Sequence, residues 1–352
     1  MVRDAVPLGE CGRALVVKLR HHGDVLLASP VISLLKARAP HLEVDALVYD
    51  DTRPMLEGHP ALSHLFFVGR KWRERGALSR LALERHLLGS LRERGYDLLV
   101  HLSEQPRGAW LARLLGTRYS VAPAMPGRGK FWKKSFTHLY PLVGGNRRHQ
   151  VELNLDALRR IGVQPALTER KVQFVPGADA ERRVDQLLDK EPFVHMHPAS
   201  RWLFKCWPAE QNAQLIDRLA VDGYRVVLTS APEETGFIQQ IIDKTQARTV
   251  NLAGQLTIKE LGAVTSRAKL FVGVDSMPMH LAAAMGTPAL ALFGPSGEHE
   301  WGPWNVAHRV VRSDHSCRPC GLDGCGSGKV SECLTFLPVD VVHAAVRELL
   351  PA

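Results

Sequence analysis

The strongest constraint on the fold is a regular alternation of short apolar strands and amphipathic helices in the second half of the chain. Each strand-length apolar run ends at a turn, and a stretch with helical apolar spacing follows it. We predict strands over Phe193–His197, Tyr224–Thr229, Thr249–Asn251, Leu270–Val274 and Pro288–Phe293, separated by helices over Pro208–Asp222, Glu233–Thr245, Ile258–Ser266 and Met279–Met285. This alternation is typical of an α/β fold with a parallel sheet.

The first half shows the same alternation less regularly. Predicted strands cover Arg13–Leu19, His41–Val48, Leu65–Val68 and Asp97–His101, and predicted helices cover Val25–Arg38, Thr52–Glu57 and Val151–Ile161. Between about residues 123 and 150 the pattern breaks into Pro, Gly and basic residues. Because 352 residues are enough for two cores, we expect two Rossmann-like domains, at residues 1–175 and 176–352.

Charge and hydropathy limit the partners and the location. The chain has 45 Lys and Arg against 36 acidic residues, a formal net charge of +9, which favours polyanionic partners. No nucleic-acid motif is present, so we expect no nucleic-acid partner. Apolar runs such as Ala289–Gly294 are far shorter than the ~20 residues of a membrane span, and Met1–Gly12 lacks the pattern of a secretory signal. We expect a cytoplasmic protein without a transmembrane segment, whose membrane work is peripheral.

The segment Val272–Gly297 combines several groups that a ligand crevice needs. A strand ends in Asp275 and Ser276, a helix with His280 and three successive alanines follows, and a second strand leads to Gly294. At the carboxyl end of a parallel strand, the Asp-Ser pair would face the crevice, and the helix N-terminus would offer amides to a diphosphate. A tightly packed unit with a core histidine explains the alanines, but it explains the other groups together poorly.

A basic loop follows the first predicted strand of the second half. It contains Ser200, Arg201 and Lys205 ahead of a helix that begins near Pro208, and it can place a hydroxyl and two cations near an anion. The Lys205 ammonium would neutralise charge that develops on a diphosphate leaving group, so that no metal or other cofactor is required. The alternative is that this loop is simply solvated.

Asp24 follows Gly23 in a polar turn and begins a predicted helix. A carboxylate at this edge of a sheet can act as a general base that takes a proton from an attacking hydroxyl. Helix N-capping explains the same aspartate equally well from the sequence alone.

The turn TSAPEE follows another predicted strand and suits a nucleoside. It contains Ser230, and either Glu233 or Glu234 would bind ribose hydroxyls, as acidic residues do in dinucleotide folds. Interaction with a helix N-terminus is the alternative for both acids. No GxGxxG, Walker or GxSxG pattern is present, which disfavours a dehydrogenase, a P-loop kinase and an α/β-hydrolase.

Cations in the first half are interleaved with aromatic residues, which suits phosphorylated sugars near a lipid surface. A solvated charged surface is the alternative. The aromatic residues are Trp72, Phe131 and Trp132. The predicted acceptor contacts are His21, His22, Arg70, Lys71 and Arg128.

Four cysteines cluster near the end of the chain, with the spacing Cys317-x2-Cys320-x4-Cys325-x7-Cys333. Thiolates at such spacing can bind zinc. A structural metal, a reversible disulfide and reduced thiols all fit this pattern in a cytoplasmic protein, and a catalytic role is disfavoured.

Four segments together resemble the signature sequences of the lipopolysaccharide heptosyltransferase family, in particular its heptosyltransferase III members. They are KLRHHGDVLLASPVI, HPASRWLFKCWP, TSAPEE and GVDSMPMHLAAAMGTPALALFGPSG, and their order and spacing match over nearly the whole chain. The resemblance implies a GT-B architecture, in which two Rossmann-like domains with parallel sheets face each other across a cleft. The first domain would bind the acceptor and the second the nucleotide sugar. A terminal helix, predicted here over Val339–Leu350, often packs back on the first domain in such proteins.

The resemblance also implies the reaction: inverting, metal-independent transfer of L-glycero-D-manno-heptose from ADP-heptose to a heptose of the lipopolysaccharide inner core, at the inner membrane surface. Asp24 matches the base and Lys205 the diphosphate-binding lysine. Ala199-Ser200 stands where several members have paired threonines. The donor contacts are expected at Ser200, Arg201, Ser230, Glu233, Glu234, Asp275, Ser276, His280 and Gly294.

Two alternatives remain at this point. The same architecture serves transferases and epimerases with other sugar nucleotides, since fold does not determine chemistry. A non-catalytic protein that binds a sugar nucleotide or lipopolysaccharide is the second alternative, and the presence of both Asp24 and Lys205 argues against it.

Overall fold

The computed structural model describes residues 4–350, which form two compact units. The first unit comprises the residues up to Gly144 together with Gln150–Gln173. The second comprises Gly145–His149 and the chain from Phe174 onwards. Each unit is built on one parallel sheet of six strands, as the α/β alternation predicts.

The first unit has a Rossmann-like sheet with the spatial order β3-β2-β1-β4-β5-β6. Its strands are β1 (Arg13–Val17), β2 (Glu43–Tyr49), β3 (His64–Val68), β4 (Leu98–His101), β5 (Tyr119–Ala124) and β6 (His138–Pro141). Its helices are α1 (His22–Leu26), α2 (Ser29–Arg38), α3 (Ala77–Arg94), α4 (Arg107–Leu115), α5 (Lys130–Lys133) and α6 (Gln150–Arg160).

The second unit repeats this plan with the order β12-β11-β10-β7-β8-β9. Its strands are β7 (Phe193–His197), β8 (Arg225–Leu228), β9 (Thr249–Asn251), β10 (Leu270–Val274), β11 (Ala289–Leu292) and β12 (His308–Val311). Its helices are α7 (Ala178–Leu187), α8 (Ala209–Val221), α9 (Thr235–Ile242), α10 (Ile258–Arg267), α11 (Met277–Met285), α12 (Glu298–Trp301), α13 (Glu332–Thr335) and α14 (Val339–Leu349).

Strand order determines where a ligand can bind in each unit. A doubly wound sheet opens a crevice beyond the carboxyl ends of its strands, at the point where the order reverses. The order reverses between β1 and β4 in the first unit and between β7 and β10 in the second. The loops after these four strands therefore hold the residues that can meet a ligand.

Several predicted elements differ from those observed. The helix predicted over Val25–Arg38 is divided at Leu27-Ala28 into α1 and α2. The helix predicted over Thr52–Glu57 is a 3-10 helix, Asp50–Met55, with Pro54 inside it. Proline lacks the amide that an α-helical hydrogen bond needs, which explains the tighter winding. Strands β5, β6 and β12 were not predicted from the sequence.

The terminal helix α14 packs on α8 and on strands β11 and β12, within the second unit. Val342 and Val346 lie on its buried face. Among the described residues, no helix has both the length and the apolar character needed to cross a membrane.

Candidate functional site

An ion pair lies at the point where the second sheet reverses its order. Asp275 directly follows β10, and Lys205 lies in a 3-10 turn, Leu203–Lys205, in the loop after β7. The Lys205 Nζ donates to Asp275 Oδ2 over 2.7 Å. The carboxylate is buried and the ammonium only partly so, which leaves the cation accessible to an anionic ligand. Two of the predicted site residues are thus in contact, although 70 positions separate them in the chain.

Helix α11 begins immediately after this ion pair. Ser276 is its N-cap residue, but the Ser276 side chain accepts no hydrogen bond from the amides of the first turn. The Ser276 hydroxyl instead donates to the carbonyl of Val274 over 3.4 Å. Pro278 occupies the first turn, where its missing amide costs nothing. The remaining amides can meet an anionic group of a ligand.

His280 lies on the buried side of α11. Its ring centroid is 6.4 Å from that of Trp301, and burial leaves the imidazole 4% exposed. Its surroundings are those of a packed histidine. Contact between His280 and the sugar-nucleotide donor stays a prediction.

The basic loop after β7 is only partly solvated. Ser200 is buried, and its Oγ accepts the amide of Trp202 over 3.3 Å. Arg201 is exposed and stacks on the Trp202 ring at 5.5 Å. Trp207 is fully buried and donates through Nε1 to the carbonyl of Leu337, so this tryptophan anchors the loop to the core.

The TSAPEE turn follows β8 and contains one partly buried acid. Glu234 folds back so that its Oε2 accepts the amide of Ala231 over 3.1 Å, and burial raises the pKa of its carboxyl group. Glu233 is exposed. Ser230 is buried, and its hydroxyl donates to the carbonyl of Ala231 over 2.9 Å. Of the two acids that the sequence offered for a ribose, Glu234 is the one held in a defined position.

Three buried polar residues, His195, Thr229 and His197, form a hydrogen-bonded row that ends beside Glu234. His195 and His197 lie on one face of β7, and both contact the Thr229 hydroxyl, at 2.7 Å and 2.8 Å. His197 Nε2 lies 3.9 Å from Glu234 Oε2. The sequence analysis assigned no role to these three residues. The alternation FVHMH places both imidazoles on the same face, a signal that could have identified them.

Gly294 follows β11 and is buried in close packing. A Cβ on this glycine would stand 2.5 Å from Leu334 Cδ1 and 3.6 Å from Cys333 Sγ. Its carbonyl accepts the Nε of Arg318 over 2.7 Å. The glycine is therefore explained by its contact with the cysteine-containing segment, and a donor contact stays a prediction.

All six cysteines are free thiols. Cys317 and Cys325 are exposed, whereas Cys333 is buried and its thiol pKa is raised by burial. Within residues 4–350, no three His, Cys, Asp or Glu side chains are grouped so that they could hold a metal ion.

Asp24 lies in the first unit, at the reversal point of its sheet. The helix α1 has His21 as its N-cap residue, and no side chain makes a capping hydrogen bond. The N-cap explanation of Asp24 is therefore wrong, because Asp24 is the third residue of the first turn and His21 occupies the N-cap position. Its carboxylate is buried and its Oδ1 is 3.7 Å from the Nε of Arg20.

Lys18 is a buried cation near Asp24 that the sequence analysis did not single out. Its Nζ donates to the carbonyl of Leu102 over 2.9 Å and to Asn154 Oδ1 over 3.0 Å, so it joins the ends of β1 and β4. Burial lowers the pKa of Lys18 to about 8, and the Asp24 charge acts in the opposite direction. A lysine directly after an apolar strand was the available signal.

The predicted acceptor residues have different environments. His22 donates through Nε2 to the carbonyl of Asp51 over 2.9 Å, while His21 and Lys71 are exposed. Arg70 is bound to Asp51 Oδ2 over 2.7 Å and stacks on Tyr49. Arg128, also exposed, donates to the carbonyl of Glu104 over 2.9 Å.

A cavity of about 640 Å³ opens in the first unit between α3 and α4. Its lining combines leucines with Trp72, Trp110 and four arginines. One of these, Arg107, is held by Glu84 through two bonds of 2.6 Å. The others are Arg70, Arg80 and Arg85. Trp132, predicted among the interleaved surface aromatics, is buried in the core instead.

Comparison with known proteins identifies the family. The model of glycosyltransferase family 9 (heptosyltransferase) matches residues 84–330. The lipopolysaccharide heptosyltransferase 3 of Escherichia coli is 39% identical over 95% of this chain and 98% of its own length. The protein belongs to glycosyltransferase family 9. It is a heptosyltransferase, as the four sequence segments indicated.

Solved structures agree on the fold. The crystal structure of a family 9 glycosyltransferase from Veillonella parvula has a TM-score of 0.82 at 20% identity, with 99% of both chains covered. The E. coli heptosyltransferase WaaC with ADP-2-deoxy-2-fluoro heptose has a TM-score of 0.73 at 21% identity, covering 96% of this chain and 99% of that one. The predicted fold class, a GT-B fold of two Rossmann-like domains, is confirmed.

Proposed function

We propose that this heptosyltransferase moves L-glycero-D-manno-heptose from ADP-heptose to a heptose of the lipopolysaccharide inner core, with inversion and without a metal. The lipopolysaccharide relative and the WaaC complex with an ADP-heptose analogue support the donor and the acceptor. The observation on which the proposal rests is the Lys205–Asp275 ion pair beside the open N-terminus of α11.

This arrangement suits a diphosphate leaving group. As the bond to the anomeric carbon breaks, negative charge accumulates on the diphosphate, and a fixed ammonium stabilises it. Asp275 holds the Lys205 side chain in place through the 2.7 Å contact. The amides at the start of α11 add partial positive charge from the same edge of the sheet. Ser200, Arg201 and Ser276 are the further donor contacts in this proposal.

Asp24 is the proposed general base. Its carboxylate makes no capping hydrogen bond, and it is buried in the first turn of α1 with Arg20 and Lys18 nearby. Inversion in one displacement requires one base to take the proton of the attacking hydroxyl. In this proposal the acceptor of the reaction is bound by His21, His22, Arg70, Lys71 and Arg128.

ADP release is the test of this function. ADP-heptose and a heptose-containing core acceptor are supplied with EDTA present throughout, and each is omitted in turn. Acceptor-dependent ADP release with a product of inverted anomeric configuration by NMR is the expected result. Acceptor-dependent release that is seen only in a parallel assay without EDTA would refute metal independence, and retention of configuration would refute the single-displacement mechanism.

Another sugar nucleotide is the main competing donor, because epimerases and other transferases share the architecture. A competition binding experiment distinguishes ADP-heptose from another donor. Unlabelled ADP-heptose should displace labelled ADP from the enzyme, whereas a UDP-sugar should not. Tight donor binding without any turnover would favour the non-catalytic alternative.

The proposed location is the cytoplasmic face of the inner membrane. Leu78 and Trp110 of the first unit are 85% and 55% exposed, and the Trp110 ring lies 4.7 Å from that of Phe131. Lys130 and Lys133 flank this aromatic pair on α5. Exposed apolar groups beside cations suit a surface of anionic lipid.

Sedimentation with vesicles tests this location. The protein should bind vesicles of phosphatidylethanolamine with phosphatidylglycerol more strongly than vesicles of phosphatidylcholine, and Trp110→Glu should weaken that binding. Val221→Glu is the matched control, since Val221 is 88% exposed on α8 of the second unit. An equal loss of vesicle binding in both variants would show that the Trp110–Phe131 pair is not the membrane contact.

A further inference from the structure

The row formed by His195, Thr229 and His197 also contacts Thr265. Only one arrangement of protons satisfies all of these hydrogen bonds. Thr265 Oγ1 donates to the carbonyl of Leu261 over 2.7 Å, so toward His195 Nδ1, at 3.2 Å, it can only accept. His195 therefore carries its proton on Nδ1. His195 is fully buried and His197 is 5% exposed, and both imidazoles are neutral, since burial lowers the pKa of His197 to about 3 and that of His195 well below its ordinary value.

This tautomer of His195 also determines whether Thr229 donates or accepts each of its hydrogen bonds. Because His195 Nε2 has no proton, the Thr229 hydroxyl donates to it over 2.7 Å. The Thr229 oxygen then accepts from His197 Nδ1 over 2.8 Å. A neutral imidazole has one N–H, so the His197 Nε2 presents a lone pair.

That lone pair points toward another acceptor. Glu234 Oε2 lies 3.9 Å from His197 Nε2, too far for a hydrogen bond, and already accepts the amide of Ala231. Among residues 4–350, nothing donates a hydrogen bond to His197 Nε2. A buried acceptor beside a partly buried carboxylate favours a ligand that brings hydrogen-bond donors, and the pair disfavours an anion.

We propose that His197 Nε2 is a second acceptor beside Glu234, the acid already expected at the donor's ribose, so that the two bind the vicinal ribose hydroxyls while Thr229 and His195 position His197. The inference rests on the proposed nucleotide-sugar donor. A ribose offers two adjacent O–H groups, one for each acceptor, and removal of either hydroxyl leaves a buried lone pair unpaired. A ribose phosphorylated at this position would be rejected.

The first test is the tautomer of His197 in the unliganded enzyme. Long-range proton–nitrogen NMR distinguishes the Nδ1–H form from the Nε2–H form, and His197→Asn identifies the signal among the 16 histidines. We expect the Nδ1–H form. Thr229→Val removes the hydroxyl that holds this form, and the signal should shift toward Nε2–H. An Nε2–H tautomer in the unaltered protein would overturn the proposal without reference to any ligand.

The second test measures the coupling between His197 and the ribose by calorimetry. ADP should bind about tenfold more tightly than 2′-deoxy- or 3′-deoxy-ADP. His197→Asn keeps a donor for Thr229 but removes the lone pair at Nε2, so it should bind ADP about tenfold more weakly and lose most of its discrimination against one deoxy analogue. His197→Gln, which restores an acceptor near that position, should recover part of it.

The outcomes separate this subsite from the donor assignment. His299→Asn, an exposed histidine of the same unit, should leave both affinities unchanged. Equal discrimination in the unaltered protein and in His197→Asn would overturn the role of His197 while leaving ADP as the nucleotide. A protein that binds no ADP but binds another nucleotide diphosphate would refute the proposed donor, and the deoxy analogues of that nucleotide would then decide the subsite.

Discussion

The Nζ of Lys205 lies 2.7 Å from the Oδ2 of Asp275, and the two residues come from the loops on either side of the reversal point of the second sheet. The ion pair is partly solvated on the lysine side, so its contribution to stability is small. Its significance is positional, because it holds a cation beside the start of α11.

Lys205→Ala should lower kcat by roughly a hundredfold and also weaken donor binding, since the cation that stabilises the diphosphate is lost. Initial rates of ADP release against donor concentration measure both effects. Lys244→Ala is the matched control, because Lys244 is an exposed lysine of the same unit, paired with Glu210. A variant with unchanged kcat would remove Lys205 from the proposed mechanism.

Asp24→Asn should reduce transfer by a factor of about 10²–10⁴ while leaving ADP affinity nearly unchanged, because a general base acts on the acceptor hydroxyl. The protein should remain folded, since Asp24 makes no capping bond and its contact with Arg20 is 3.7 Å long. Rates and ADP calorimetry on the same sample check this. Glu93→Gln, an exposed acid on α3, serves as the control, and an active Asp24→Asn enzyme would refute the assignment.

The sequence predicted the elements that are short, apolar and bounded by turns. Strands β7, β9 and β10 were predicted with their observed bounds, because each is such a run. Strands β5 and β6 were missed, since proline and polar residues interrupt the pattern there. Strand propensity is read from a segment alone, and it does not include the hydrogen bonds and packing that a neighbouring strand provides.

The candidate site was predicted in part for a similar reason. Residue types at strand ends identified Asp275 and Lys205 separately, but the contact between them depends on which strands are neighbours. Lys18 and Thr229 were overlooked because their roles follow from buried partners elsewhere in the chain. Gly294 was predicted as a ligand contact, whereas its neighbours give a packing reason for the glycine.

Lys18 should make stability depend on alkaline pH. Burial lowers the pKa of Lys18 in the folded protein to about 8 from an ordinary value of 10.5. Between these two pH values the unfolded chain binds a proton that the folded chain has released, so the free energy of unfolding rises with pH across this window. Below pH 8 both states bind the proton, and this contribution is absent.

The size of this effect can be isolated with Lys18→Gln, which cannot titrate. The free energy of unfolding of the unaltered protein, relative to this variant, should increase by about 3 kcal/mol on going from about pH 8 to about pH 10.5. Urea unfolding at several pH values measures it. A difference that stays constant across the window would mean that Lys18 keeps its ordinary pKa.

Gly294→Ala should destabilise the protein by about 1–3 kcal/mol, because the added methyl group overlaps Leu334 in a packed region. The Cβ would lie 2.5 Å from Leu334 Cδ1. Gly236→Ala on α9 is the matched control: no atom lies within 4 Å of its Cβ, and a gain of about 0.5–1 kcal/mol from helix propensity is expected.

A double-mutant cycle with Leu334→Ala separates packing from ligand binding at Gly294. If the overlap is the cause, Gly294→Ala should cost much less stability once Leu334 has been shortened, because the methyl group then occupies vacated space. ADP affinity, measured on the same variants, should change little even where the free energy of unfolding falls. An equal loss of stability in both backgrounds would refute the packing explanation. A tenfold loss of ADP affinity with stability unchanged would instead show that the backbone of Gly294 approaches the donor itself.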